Sequence, residues 1–177
     1  MDKKEQLELL LKKISRYDVY INSTNAKTSI IIAWNGIVIG TILLKYNSFM
    51  ELYVKPIWAY GIANALLLIL AVTSFVSIAL AFKVINPFLS SRNTGNNFDS
   101  LIFFGDVSKI TLEEYKRKES NLNYEDILTD AIRQAHNLAI GLNNKMKCMK
   151  KSIAAIYYGL VSLLILILLK GIITYAS

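Results

Sequence analysis

One cysteine, one histidine and two prolines stand among 177 residues. The lone Cys148 excludes an intrachain disulfide, and beside a single His136 it leaves no metal-ligand spacing to write. No glycine-rich phosphate loop, no Ser-His-Asp order with a nucleophile elbow and no zinc pattern occurs. These absences point to a protein that is not an enzyme, with no metal and no cofactor. Charge is scarce as well: only 19% of residues are charged, and 13 acids face 20 bases, for a net charge of +7. What is abundant is apolar: hydrophobic residues make up 54%, and mean hydropathy is +0.39. That balance fits a small membrane protein with a real polar part, not a soluble domain.

Three long apolar runs carry that reading. The first, KTSIIIAWNGIVIGTILLKY, spans 27–46, and from Ile30 to Leu44 its clearly polar side chains are Asn35 and Thr41. Roughly 20 helical residues cross the ~30 Å hydrocarbon core. The second span is expected at 57–82, with Trp58 and Tyr60 as interface anchors, Pro56 at its start and Pro87 beyond its end. The third is expected at 153–175. A buried helix of a soluble protein is the competing reading of any one run, and three in one chain weigh against it. No small-residue cleavage site follows the first run, so a retained anchor is expected, not a signal peptide.

Polar groups inside the spans are expected to meet other helices. Asn35 either packs against a neighbouring helix or lines a pore, and Asn64, Thr73, Ser74 and Ser77 are placed in the same way. Gly36 and Gly40 form a G-x-x-x-G spacing, which taken alone is a weak motif.

Residues 1–26 read as an amphipathic helix with Leu7, Leu10, Leu11, Ile14, Tyr17 and Ile21 on one face. That face packs on the protein's own polar part or lies on lipid. Asn22-Ser23-Thr24-Asn25 marks an expected break before the first span. The region 83–152 is polar and helical by pattern, with a loop by composition at 88–107 in which Phe98, Leu101, Ile102, Phe103 and Phe104 are expected to dock. Thr111-Leu112-Glu113-Glu114 is a capping box, and Asn123 caps the last helix.

Leu128, Ile132, Ala135, Ala139, Leu142, Met146 and Met149 recur at alternating steps of four and three, and Ile153, Ile156, Leu160, Leu163 and Ile167 continue the series. This heptad seam predicts one unbroken helix over 124–173, roughly 75 Å long, with its first half in water and its second in the bilayer. The seam packs within one chain or between copies in a homo-oligomer. The fold class is therefore an all-α membrane protein: three transmembrane helices, a cytoplasmic helical region, and a last helix continuous from cytoplasm into membrane.

Lysines and arginines set the orientation. Six precede the first span and eleven lie at 83–152, against two in the 45–55 connection and one at Lys170. The excess places the N-terminus and 83–152 in the cytoplasm. It also explains the basic pI without nucleic acid as a partner.

Within 83–152, Arg92, Lys109, Lys116, Arg117, Lys118 and Arg133 could meet a phosphate, and Phe103, Phe104, Tyr115 and Tyr124 could stack on a base. Ordinary juxtamembrane charge and core aromatics are the other reading. His136 reads as a helix-surface or interhelix polar residue, not a general base. Arg92, Phe103, Phe104, Lys109, Tyr115, Arg133 and His136 form the candidate ligand-binding set. The acids Glu113, Glu114, Glu119, Glu125, Asp126 and Asp130 read as solvated.

YINSTNAKTSIIIAWNG at 20–36, Asn86-Pro87, NNFDSLIFFGDVSKITLEEY at 96–115 and DAIRQAHNLAIGLNNKMKCMKKSIAA at 130–155, in this order between spans, resemble the Pycsar effector transmembrane family of bacterial anti-phage systems. The resemblance covers roughly residues 17–175 and is carried by Lys27 with Asn35-Gly36, by Phe103-Phe104-Gly105-Asp106 with Tyr115, and by His136-Asn137-Leu138-Ala139 with Lys145. It implies a multi-pass effector of abortive infection in the bacterial inner membrane. A partner cyclase makes cUMP or cCMP, and the effector responds by impairing membrane integrity. The chain has no room for a separate cyclic-nucleotide-binding barrel. A membrane scaffold whose cytoplasmic bundle holds a partner is the alternative.

Overall fold

The structure is a computed structural model and describes residues 2–86 and 100–176. Its described elements are five helices: α1 (Lys3–Glu51), α2 (Ile57–Ile85), α3 (Phe104–Val107), α4 (Leu112–Ser120) and α5 (Tyr124–Ala176). α1, α2 and α5 are each long and apolar enough to cross a membrane. The all-α membrane architecture and the single long last helix follow the sequence pattern.

The chain divides into two compact units, one of residues 1–23 with 86–145 and one of 24–85 with 146–177. α1 and α5 contribute to both. The first is called here the polar unit and the second the apolar unit.

No break interrupts α1 at residues 22–25, contrary to expectation. Thr24 Oγ1 donates to Met146 Sδ at 3.6 Å instead of capping a new start, and the carbonyls of Thr24 and Asn25 accept from side chains one turn on. Thr28 Oγ1 donates to the Thr24 carbonyl at 2.8 Å, and Ser29 Oγ to that of Asn25 at 3.1 Å. With neither Gly nor Pro nearby, the helix continues to Glu51, past the expected end at 46.

In the polar unit, the start of α1 packs on α5 through an ion pair between Lys3 and Glu125, and the Tyr124 hydroxyl donates to the Lys3 carbonyl. Leu7, Leu10, Ile14, Tyr17 and Ile21 are half-buried along it, while Leu11 stays exposed. α4 opens as predicted: Thr111 Oγ1 accepts from the Glu114 amide at 3.2 Å, and the Glu114 carboxylate turns to Lys118 at 3.3 Å. α5 opens on a reciprocal cap, in which Asn123 Oδ1 accepts from the Asp126 amide at 2.9 Å and Asp126 Oδ2 from the Asn123 amide at 3.5 Å.

In the apolar unit, α2 buries Ala59, Ala63, Leu67, Leu70, Ser74, Ser77, Ala81 and Val84, a stripe of small and medium side chains. The large residues Leu43, Leu44, Ile57, Leu68 and Phe75 point outward. This inversion of a soluble core is what lipid permits, since helices in it gain more from close backbone approach than from burying leucine. Gly159 shows that approach: a Cβ there would lie 2.9 Å from Thr73 Oγ1 and 3.2 Å from Leu70 Cδ1.

α5 packs on a face turned from the expected seam. Leu128, Ala135 and Met149 are buried and Leu142 and Ala139 are half-buried, but Ile132 and Met146 are exposed, as are Ile153, Leu160 and Ile167. The neighbours one residue earlier are buried in their place: Ala131, Lys145, Ser152, Gly159 and Leu166. The seam keeps its heptad step, but every second position belongs mostly to a small or polar residue.

Candidate functional site

Within the polar unit the residues from Ser100 to Asp106 are folded around two buried carboxylates. Asp130 Oδ2 accepts from Ser100 Oγ at 3.0 Å, the Leu101 amide at 2.9 Å and the Ile102 amide at 3.1 Å. Ser100 Oγ in turn accepts from the amides of Ile102 at 3.2 Å and Phe103 at 2.9 Å. Asp106 completes the knot, with Oδ2 3.4 Å from the Ser100 amide and Oδ1 2.7 Å from Lys109 Nζ. Asp130 is thus buried, where a solvated face was expected. Three donors on one oxygen satisfy a carboxylate that is buried away from water.

The aromatic pair in this segment divides its roles. The Phe103 ring folds over Gly105, where a Cβ would sit 2.5 Å from Phe103 Cε1. That contact gives the glycine a reason: any larger side chain must displace the ring. Phe104 meets Phe103 at 5.0 Å between centroids yet remains 69% exposed. Ile102 is exposed too, so docking of this apolar run is confined to Leu101 and Phe103, both half-buried. Phe98 lies outside the described residues.

The structure gathers only part of the candidate ligand-binding set. Phe103 and Phe104 belong to the Ser100–Asp106 segment, and Lys109, three residues beyond it, is engaged with Asp106. Arg133 and His136 are exposed on α5, and Tyr115 is half-buried on α4. Arg92 lies outside the described residues. The set offers cations and aromatic rings for binding.

Lys145 is a site residue that charge counting missed. It is buried on α5, and its Nζ donates to the Asn86 carbonyl at 3.2 Å, just beyond the end of α2. A cation at a helix C-terminus meets the negative end of the dipole. Burial nonetheless lowers its pKa from the ordinary lysine value. In contrast, the exposed Lys3 ammonium is held above its usual range by Glu125.

Polar groups of the apolar unit converge on Asn35. Its Nδ2 donates to the Ile31 carbonyl at 2.8 Å and to Ser77 Oγ of α2 at 3.1 Å. Ser77 Oγ lies 2.9 Å from Ser152 Oγ of α5, and Ser152 Oγ also meets the Ser77 carbonyl at 2.9 Å. One hydrogen-bond chain therefore ties three membrane-crossing helices, and Asn35 packs in the way a span amide is expected to. Asn64 behaves differently: it is exposed, and its Oδ1 accepts from the Tyr46 hydroxyl of α1 at 3.0 Å. Tyr53 was not foreseen. It is buried in the turn between α1 and α2, donates to the Leu166 carbonyl at 2.9 Å, and packs with Met50, Ala63, Leu67, Leu166 and Leu169. The signal was an aromatic with a polar tip in a short connection.

Comparison with known proteins adds a family to this geometry. The family described as the Pycsar effector protein domain matches residues 9–171. The chain is also similar to the Pycsar effector protein EcPycTM of Escherichia coli, 24% identical over 169 residues, which covers 94% of this chain and 91% of that protein. No solved structure matches.

Proposed function

The chain belongs to the Pycsar effector family of anti-phage defence effectors, and from that premise we propose that it is a non-enzymatic inner-membrane effector that impairs membrane integrity on sensing a cyclic pyrimidine mononucleotide, cUMP or cCMP. The observation that carries this reading is the extent of the match. Residues 9–171 take in most of the polar unit and most of the three helices long and apolar enough to cross a membrane, so the likeness is not confined to the apolar segments that any membrane protein shares. In this reading Phe103, Phe104, Lys109 and Tyr115, with Arg133 and His136 of α5, meet the nucleotide, and the bridged helices α1, α2 and α5 rearrange. The excess of lysine and arginine at 83–152 supports a cytoplasmic N-terminus and a cytoplasmic 83–152 region in this reading. The exposed seam member Ile132 favours association between copies.

The test is leakage of a trapped dye from liposomes holding the full chain, across a panel of cyclic mono- and dinucleotides. Leakage with cUMP or cCMP and not without is the expected result. Folded, inserted protein that leaks with none of them overturns the reading in favour of a membrane scaffold that holds a partner.

A further inference from the structure

One face of α5 carries charge left unmatched among the described residues. Lys147, Lys150 and Lys151 are all exposed, and none forms an ion pair among the described residues. From Met146 to Ser177 there is no acid at all, and the whole apolar unit holds a single carboxylate, Glu51.

Helix geometry lines these lysines up. At about 100° per residue, Lys150 and Lys151 lie within about 60° of Lys147 around the axis. Ala154, Tyr157 and Tyr158 continue the same face, within about 80° of Lys147. All three are exposed, Tyr157 by 65% and Tyr158 by 63%, and the two rings meet edge to face at 6.2 Å. The lysines stop just before the apolar run 153–175 begins, and the tyrosines fall one to two turns inside it. Lys27 precedes Asn35 and Lys83 follows Ser77, so both lie on the same side of the Asn35–Ser77–Ser152 junction as Lys147. Both are exposed.

We propose that Lys147, Lys150 and Lys151, with Tyr157 and Tyr158, form a docking surface for anionic phospholipid headgroups. Ammonium groups on long stems reach the depth of the phosphates, and phenol rings with an apolar body and a polar tip sit at the boundary beneath them. Alanine at 154 keeps the space between the two layers small-sided. A zwitterionic headgroup brings its own cation to the same place and cannot neutralise three lysines. An anionic headgroup supplies the missing counter-charge. The proposal goes beyond the nucleotide-gated reading and stands without it.

Electron spin resonance of the full chain in phosphatidylcholine vesicles tests it, with spin-labelled phosphatidylglycerol or phosphatidylcholine as the probe. The wild-type protein is expected to immobilise the phosphatidylglycerol label with at least about fivefold preference, the effect of roughly one lysine's attraction. The preference should shrink at about 0.5 M salt. It should fall towards one in the Lys147→Gln/Lys150→Gln/Lys151→Gln variant and persist in the corresponding arginine variant. Equal immobilisation of both labels by wild type overturns the proposal, as does a glutamine variant that keeps the full preference. If the glutamine variant fails to reconstitute, the wild-type salt series decides alone: a preference that salt does not weaken also overturns it.

Discussion

Ser77 and Ser152 settle each other's proton. Ser152 Oγ donates to the Ser77 carbonyl at 2.9 Å, so the 2.9 Å contact between the two hydroxyls has Ser77 as donor. The lone pair left on Ser77 Oγ takes the Asn35 amide at 3.1 Å. Ser152→Ala removes two of these bonds and leaves the Ser77 hydroxyl without its acceptor. Interhelical hydrogen bonds in membranes average about 0.6 kcal/mol and reach about 1.7. A loss of about 1 kcal/mol in unfolding from detergent micelles is expected. An unchanged midpoint would mean that packing alone holds these helices.

Glycine matters at one place in the apolar unit and not at another. Gly159→Ala puts a methyl 2.9 Å from Thr73 Oγ1, and α2 and α5 must part to admit it. Overpacking of this kind costs about 1–3 kcal/mol. At Gly36 and Gly40 a Cβ meets nothing within 4 Å, so Gly36→Ala and Gly40→Ala should be neutral or slightly stabilising to the single chain. Thermal unfolding of the three variants side by side checks the contrast. Equal effects at all three would sink the close α2–α5 approach.

Asp130 is expected to be the costliest exposed-looking acid to remove. Asp130→Ala strands the Leu101 amide and the Ser100 hydroxyl proton, and leaves the Ile102 amide only its bond to Ser100 Oγ at 3.2 Å. The expected loss is about 2–3 kcal/mol in the polar unit, since bonds to a charged acceptor are worth about 1.5–3. Amide hydrogen exchange at Leu101 and Ile102 should speed up, whereas Glu113→Ala on the surface of α4 should leave both slow. Protection that survives Asp130→Ala contradicts the role assigned here.

Lys145 sets a pH dependence with a definite sign. Burial holds its folded pKa below the ordinary 10.5, so the folded state binds that proton more weakly than the unfolded chain. Stability is therefore penalised at neutral pH and rises as pH climbs from the lowered folded pKa towards 10.5. Against Lys145→Met, which cannot titrate there, the wild-type unfolding midpoint should gain over that window. A difference between the two proteins that stays flat up to pH 10.5 rules out a buried, depressed lysine.

Periodicity and composition made the helices legible. The three spans, the Thr111 and Asn123 caps and the continuity of α5 all rest on local pattern: runs of apolar residues, side-chain oxygens three residues before an amide, no proline. Local chemistry misled at residues 22–25, because a threonine hydroxyl serves equally to cap a helix or, as Thr24 does, to bond to another helix. Which it does depends on what the neighbouring helix offers. The candidate site was less legible. Phe103 and Lys109 were found by type, but Ser100, Asp106 and Asp130 come from segments about 25–30 residues apart, and nothing in their spacing announces that one carboxylate would hold three donors.

The sequence by itself determined that this is a helical membrane protein of the Pycsar effector family, and where α2, α4 and α5 begin. Only the tertiary structure decided which face of each helix turns inward. Heptad counting selected Ile132, Met146 and Ile153 because they are large and apolar, yet the packed face runs through Ala131, Lys145 and Ser152. For 153 and beyond the reason is the solvent. Lipid gives leucine and isoleucine no reason to leave it, while serine hydroxyls need a partner and glycine admits one closely. For Ala131 and Lys145 it is the neighbour: a small side chain lets helices meet, and a helix end at Asn86 receives the ammonium.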